Sequence, residues 1–184
     1  MDYTDSVKYY FFRLLLLLGT NALGLFMGKA LLWVIASVLP YSLETVKNFL
    51  IDDRTGSVIA AVTMIIALGL VFHDDAKAHA AYENMDMVPV LTSIILLLAV
   101  YFVPVIFYNQ NDITTAVETA YYIFYYPCRW LIEFFGLDLM TSAALGMEIV
   151  LGVQFFIYQI TYINYKRKHP FIFKPDPEKV VIDS

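Results

Sequence analysis

Charged residues are scarce in this chain of 184 residues. Asp, Glu, Lys and Arg together make up 16% of it, whereas 60% of the residues are apolar, and the mean hydropathy is +0.65. A water-soluble domain carries about a quarter charged residues, because its surface must face water. The shortage indicates an integral membrane protein whose surface largely contacts hydrocarbon.

Other shortages exclude further classes of protein. Cys128 is the single cysteine, so the disulfide framework of a small secreted module is excluded. A net charge of −5 leaves no basic surface for nucleic acid. The chain also has no Gly-rich phosphate loop, no Gly-x-Ser-x-Gly elbow and no His-Glu-x-x-His motif. We therefore expect a protein with no catalytic residues, no metal, no cofactor and no nucleic-acid partner.

Four apolar runs have the length that a helix needs to cross a hydrocarbon core of about 30 Å. They cover residues 14–39, 56–72, 87–108 and 137–158. Charged residues or prolines bound each run, for example Pro40 after the first run and Asp53 before the second. The sequence predicts an all-α membrane protein, a single domain over residues 1–184, with four transmembrane helices.

The distribution of Lys and Arg predicts that both termini are cytoplasmic. Positive residues concentrate on the cytoplasmic side of membrane proteins. An even number of spans with the N-terminus inside leaves three basic residues outside and eight inside, the latter being Lys8, Arg13, Lys77, Lys166, Arg167, Lys168, Lys174 and Lys179.

The segment 113–135, between the third and fourth runs, has amphipathic spacing. Its polar positions recur every three or four residues, which is typical of one helix face: Thr114, Glu118, Tyr122, Tyr125, Arg129 and Glu133. We predict a helix that lies along the outer membrane surface and is kinked by Pro127. A re-entrant hairpin is the alternative. After residue 169, three prolines predict an extended cytoplasmic tail over 169–184.

Lys29 and Glu148 are the formal charges well inside the four runs. Each lies about 15 Å, at 1.5 Å per residue, from the outer end of its run. Gly24 and Gly28 form one face of the first run with Lys29 at its edge, and Ala144 and Gly152 share the face of Glu148 in the last run. Because an intramembrane charge is costly and small residues allow close helix packing, we predict that these two helices pack together and that Lys29 pairs with Glu148.

The pair has two interpretations, which leave the function open. As a structural contact, it favours a non-catalytic membrane subunit or scaffold that assembles with itself or with a larger membrane complex. As a proton- or cation-carrying group, it favours a small oligomeric transporter or channel in which Asn21 also lines the pathway. The third alternative is a membrane-embedded enzyme that uses the polar segment 73–79. Its residues His73 and His79 are six apart, off one helical face, so we predict a solvated loop rather than a metal site.

Overall fold

The computed structural model describes residues 3–81, 88–106 and 115–169, and these residues form helices with no strand among them. The all-α class is confirmed. The predicted extended tail lies outside the described residues, except for His169.

Eight α-helices follow one another along the described chain. They are α1 (Tyr3–Leu25), α2 (Leu32–Val38), α3 (Glu44–Ile51), α4 (Asp53–Ala81), α5 (Val88–Ile106), α6 (Thr115–Phe124), α7 (Arg129–Phe135) and α8 (Leu139–Lys168). A π-helix, Phe26–Leu31, joins α1 to α2 without a break, and short 3-10 turns, Tyr41–Leu43 and Tyr126–Cys128, precede α3 and α7. We call the end of the bundle at which α4 and α8 begin the upper end, and the opposite end the lower end.

Three helical stretches are long and apolar enough to cross a membrane: Lys8–Val38, Asp53–Ala81 and Leu139–Lys168. α5 contributes a shorter apolar stretch, Val90–Pro104. The second stretch continues beyond its predicted end, so the expectation of a loop over 73–79 is wrong. Alanines favour the helix there, and Asp75 and His79 gain partners on neighbouring helices that stabilise the extension.

α4 is the central helix, and it packs against both α1 and α8. A Cβ added to Gly28 would overlap the carbonyl oxygen of Gly56, and a Cβ on Gly24 would lie 2.8 Å from the carbonyl oxygen of Ala60. The face predicted to pack on α8 therefore packs on α4. The sequence explains this, since Gly56 and Ala60 form a matching pair of small residues four positions apart.

The contact between α4 and α8 forms the centre of the bundle. Met64 and Leu68 of α4 and Met147 and Leu151 of α8 are fully buried there. Gln154 is also fully buried, and its Nε2 donates a hydrogen bond of 3.2 Å to the carbonyl oxygen of Ile65. This side chain-to-backbone bond fixes the two helices relative to each other.

The region predicted as a kinked surface helix contains α6 and α7, with the turn Tyr126–Cys128 between them. Tyr125, Tyr126 and Cys128 are buried in the bundle. Cys128 fills the space beside Gly146, where an added Cβ would lie 2.6 Å from its sulfur. Gly146 is seven residues into α8 from Leu139, so the turn lies about 10 Å below the upper end.

Candidate functional site

Four charged side chains meet near the upper end, and we call them the upper cluster: Lys29, Asp53, Arg129 and Glu133. The carboxylate of Asp53 forms ion pairs with both basic side chains. Lys29 Nζ lies 3.1 Å from its Oδ1, and Arg129 Nη2 lies 3.0 Å from its Oδ2. Arg129 Nε lies 3.1 Å from Glu133 Oε1. The formal charges of these four residues cancel.

Local helix geometry brings the upper cluster together. Lys29 projects from the π-helix, a wider turn that often occurs at functional sites. Asp53 is the first residue of α4, where a carboxylate also interacts favourably with the helix dipole. Arg129 and Glu133 are four apart on α7 and so lie on one helix face.

The predicted pair of Lys29 with Glu148 is not formed, because Lys29 pairs with Asp53. α4 packs between α1 and α8, and it supplies the carboxylate that meets the lysine. Equal depth along two helices does not determine which way each side chain points around its helix axis. The sequence marks Asp53 only as a residue that bounds the second run.

Glu148 is exposed on α8 and lines an apolar groove of about 280 Å³ between α5 and α8. Its neighbours in the groove are leucines, Ile94, Phe155 and Gly152. Across the described residues, no ion pair or hydrogen bond to this carboxylate is present. A Cβ added to Gly152 would contact no described residue within 4 Å, so this part of the surface beside the carboxylate is open. We call Ala144, Glu148 and Gly152 the Glu148 face.

A second polar group near the lower end joins α1, α4 and α8, and we call it the lower cluster: Arg13, Asp75, His79 and Tyr158. Arg13 forms an ion pair with Asp75, and the arginine side chain is only 3% exposed. His79 Nδ1 lies 2.7 Å from the hydroxyl oxygen of Tyr158.

Aromatic rings complete the surroundings of Arg13. Its Cζ lies 4.8 Å from the ring centroid of Tyr9 and 5.2 Å from that of Phe72. Its Nε and Nη1 are buried and have no hydrogen-bond partner among the described residues. The sequence does not predict this cluster, because the basic charge of Arg13 bears there only on orientation; the position of Arg13 just before the first apolar run is the one signal that points to it.

Asn21, predicted as a pathway residue, is a buried connection between three elements. Its Nδ2 donates to the hydroxyl oxygen of Tyr101 at 2.5 Å and to the carbonyl oxygen of Phe124 at 2.9 Å. Tyr125 adds a bond of 2.6 Å from its hydroxyl to the carbonyl oxygen of Tyr101. These bonds tie α1 and α5 to the end of α6, directly before the buried turn.

A larger groove lies between the upper part of α1 and α6, with a volume of about 720 Å³. Apolar side chains form most of its wall, including Leu25, Phe26 and Ile123. Lys29 and Arg129 are the charged residues that line it, whereas Asp53 and Glu133 of the upper cluster do not. We call it the cationic groove.

In the described ranges, no three His, Cys, Asp or Glu side chains are close enough together to hold a metal ion. His73 Nδ1 lies 3.2 Å from Asp74 Oδ1, and His79 belongs to the lower cluster. Comparisons with family models, with curated proteins and with solved structures found no match for this chain.

Proposed function

We propose that the protein is a non-catalytic integral membrane subunit that assembles through the Glu148 face, either with a second copy or with another membrane protein. The observation that carries the proposal is the carboxylate of Glu148, which is exposed in an apolar groove and has no partner among the described residues.

The position of Glu148 makes its exposure costly. It is nine residues from the start of α8, which corresponds to about 14 Å along the helix. A charged side chain at such a depth costs about 2.5 to 3.5 kcal/mol on insertion scales, and it normally faces protein or water. Ala144 and Gly152, one turn to either side, allow another helix to approach closely. A partner helix that supplies a hydrogen-bond donor or a cation satisfies both features.

The hairpin of α2 and α3 is a second uncovered apolar surface, and it is available to a partner or to lipid. It exposes large apolar or aromatic side chains, including Trp33 at 65%, Val38 at 77% and Tyr41 at 92%. α3 has no buried residue. Apolar patches left uncovered on a single chain are typical of surfaces that contact a partner or a membrane.

The proposal also includes a transmembrane topology of four spans. α5 has 19 residues and a rise of about 28 Å, close to the hydrocarbon thickness, so we include it as a fourth span. Four spans, each running opposite to the one before it, place both chain ends on one side of the membrane. The basic residues Lys166, Arg167 and Lys168 in the last turn of α8 favour the cytoplasm for that side.

We further propose that α6, the turn and α7 form the re-entrant hairpin that was the alternative to a surface helix. The depth of Cys128 beside Gly146 supports it. So does the bond from Asn21 to Phe124, because Asn21 is eight residues, or about 12 Å, below Lys29. Irregular backbone at such depth is tolerated when protein surrounds it, as it does here.

The substitution Glu148→Gln tests the assembly. We expect the wild-type chain of 21.1 kDa to be extracted in mild detergent as a larger complex, and the variant to dissociate into single chains. Glu118→Gln is the matched control, since Glu118 is an exposed carboxylate on α6 outside the face. A monomeric wild-type protein, or a variant that assembles normally, would contradict the proposal.

The exposure of Glu148 also favours a second function, a small oligomeric transporter in which this carboxylate carries a proton or a cation. A carrier group must be reachable from a pathway, and Glu148 lines an open groove rather than a closed contact. In that case Glu148→Gln assembles normally and abolishes flux across reconstituted vesicles, which distinguishes the two functions.

A further inference from the structure

We propose that the cationic groove binds an anionic phospholipid, with its phosphate at Lys29 and Arg129 and an acyl chain along α1 and α6. This site is separate from the Glu148 face, so the inference holds whichever partner covers that face.

The shape of the groove fits a membrane lipid. It extends from Ala22 of α1, past the π-helix, to Trp33 of α2, which is eleven residues or about 16 Å. Its volume of about 720 Å³ falls within the range of roughly 300 to 1,000 Å³ that is typical of ligand sites. Its wall is apolar below Lys29, where Ala22 and Leu25 face Ile123, so a hydrocarbon chain matches this part of the surface.

The charge of the groove selects the headgroup. Lys29 is 57% exposed and Arg129 is 27% exposed, and both line the groove. Asp53 and Glu133 contact these cations but do not line the groove, so they hold the two side chains in place while positive charge faces the ligand. Arginine and lysine donors are suited to phosphate oxygens.

Aromatic side chains near the cations suit the depth of a lipid headgroup. Tyr122 and Tyr126 line the groove, and Lys29 Nζ lies 5.4 Å from the ring centroid of Tyr126. Trp33 is one turn above Lys29 on the same helix face and is 65% exposed. Tyrosine and tryptophan are enriched at the level where lipid headgroups meet hydrocarbon.

Tryptophan fluorescence provides a local test, because the chain has only two tryptophans. The variant Trp130→Phe leaves Trp33 as the single reporter in the groove. It is reconstituted in phosphatidylcholine membranes that contain a minor fraction of brominated lipid. In one sample the brominated lipid is phosphatidylglycerol, and in the other it is phosphatidylcholine. The bromine atoms lie near the headgroup end of the acyl chains. We expect brominated phosphatidylglycerol to quench Trp33 more strongly.

Charge variants in the same background identify the headgroup site. Lys29→Gln and Arg129→Gln should each weaken the preference for phosphatidylglycerol about fivefold, the effect expected of one basic side chain near anionic lipid. Arg54→Gln is the control, because Arg54 is an exposed cation beside Asp53 that does not line the groove, and it should keep the preference.

A variant that fills the groove avoids any effect of broken ion pairs on folding. Ala22 is exposed in the groove, so Ala22→Phe should reduce quenching by phosphatidylglycerol while leaving the charges in place. Equal quenching by the two lipids in the Trp130→Phe protein would overturn the proposal. So would a loss of preference in Arg54→Gln as large as in Lys29→Gln, because it would indicate attraction to a charged surface alone.

Discussion

The two ends of the bundle hold ionic clusters that differ in burial. At the lower end, the guanidinium of Arg13 is almost fully enclosed beside Asp75, whereas Lys29 at the upper end is more than half exposed beside Asp53. A broken pair in the interior leaves an uncompensated charge, whereas water and salt screen an exposed pair. The lower cluster is therefore expected to contribute most to specific packing, and the upper cluster to leave its cations accessible to a ligand.

The largest effect is expected from Asp75→Asn. This change leaves the buried Arg13 without its counter-charge, so the free energy of unfolding should fall by about 3 to 5 kcal/mol. Unfolding by a denaturing detergent in mixed micelles provides the measurement. The neighbouring substitution Asp74→Asn is the control, because the Asp74 side chain is 79% exposed. Equal losses from the two substitutions would show that burial of Arg13 does not control stability.

Next in size is Gly28→Ala, which tests the contact between α1 and α4 beside the upper cluster. The added methyl group would overlap the carbonyl oxygen of Gly56, so we expect a loss of about 1 to 3 kcal/mol. Gly19→Ala provides the comparison, since a Cβ at Gly19 meets nothing within 4 Å and alanine favours the helix. A stability gain at both positions in the same unfolding assay would contradict the close approach.

A smaller effect is expected from Asp53→Asn, which removes the carboxylate shared by Lys29 and Arg129. Both pairs are partly exposed, so the free energy of unfolding should fall by at most about 1 kcal/mol. The same unfolding assay, repeated at high salt, should show a smaller difference between variant and wild type. A loss equal to that of Asp75→Asn would remove the distinction between the two ends.

The smallest expected effect on the free energy of unfolding is at Asp138, the N-cap of α8 at the upper end. Its carboxylate accepts hydrogen bonds from the backbone N of Thr141 at 2.8 Å and from the Thr141 hydroxyl at 2.7 Å. The backbone bond, followed by the hydroxyl bond, holds the pKa of Asp138 below its ordinary value of 3.8. A lowered pKa in the folded state favours folding above the ordinary value, and this contribution disappears as the pH falls through the lowered value.

Asp138→Ala should therefore lower the free energy of unfolding by about 1 kcal/mol at neutral pH. Unfolding measured at neutral and at strongly acidic pH should show that the difference between variant and wild type shrinks in acid. A difference that stays constant down to strongly acidic pH would show that the ionised carboxylate is not the capping group.

Much of the fold could be predicted from the sequence because hydrophobic length is local information. The apolar runs that became the helices around Met64 and Met147 were recognisable without coordinates. The small residues Gly24 and Gly28 also predicted a close helix contact, which the structure contains. The partner helix predicted for them, α8, was wrong, because a pattern of small residues shows that a helix packs closely but does not identify the neighbour.

The candidate site was harder to predict, because it depends on how side chains point around each helix axis. Lys29 and Glu148 were identified as unusual, yet equal depth does not bring two groups together when α4 lies between their helices. Arg13 and Asp75 were assigned to flanking positions, since the sequence did not show that α4 continues to Ala81. Their pairing follows from that extra helical length.

The most direct measurement of the assembly proposed for Glu148 is site-specific photo-crosslinking in the native membrane. A photoreactive amino acid is placed at Leu91, which is exposed and lines the groove beside Glu148, and, as the control, at Leu70, which is exposed on α4 away from that groove. We expect a discrete protein adduct from position 91 and none from position 70. Recovery of the chain without any protein adduct at position 91 would contradict the assignment of this face to a partner.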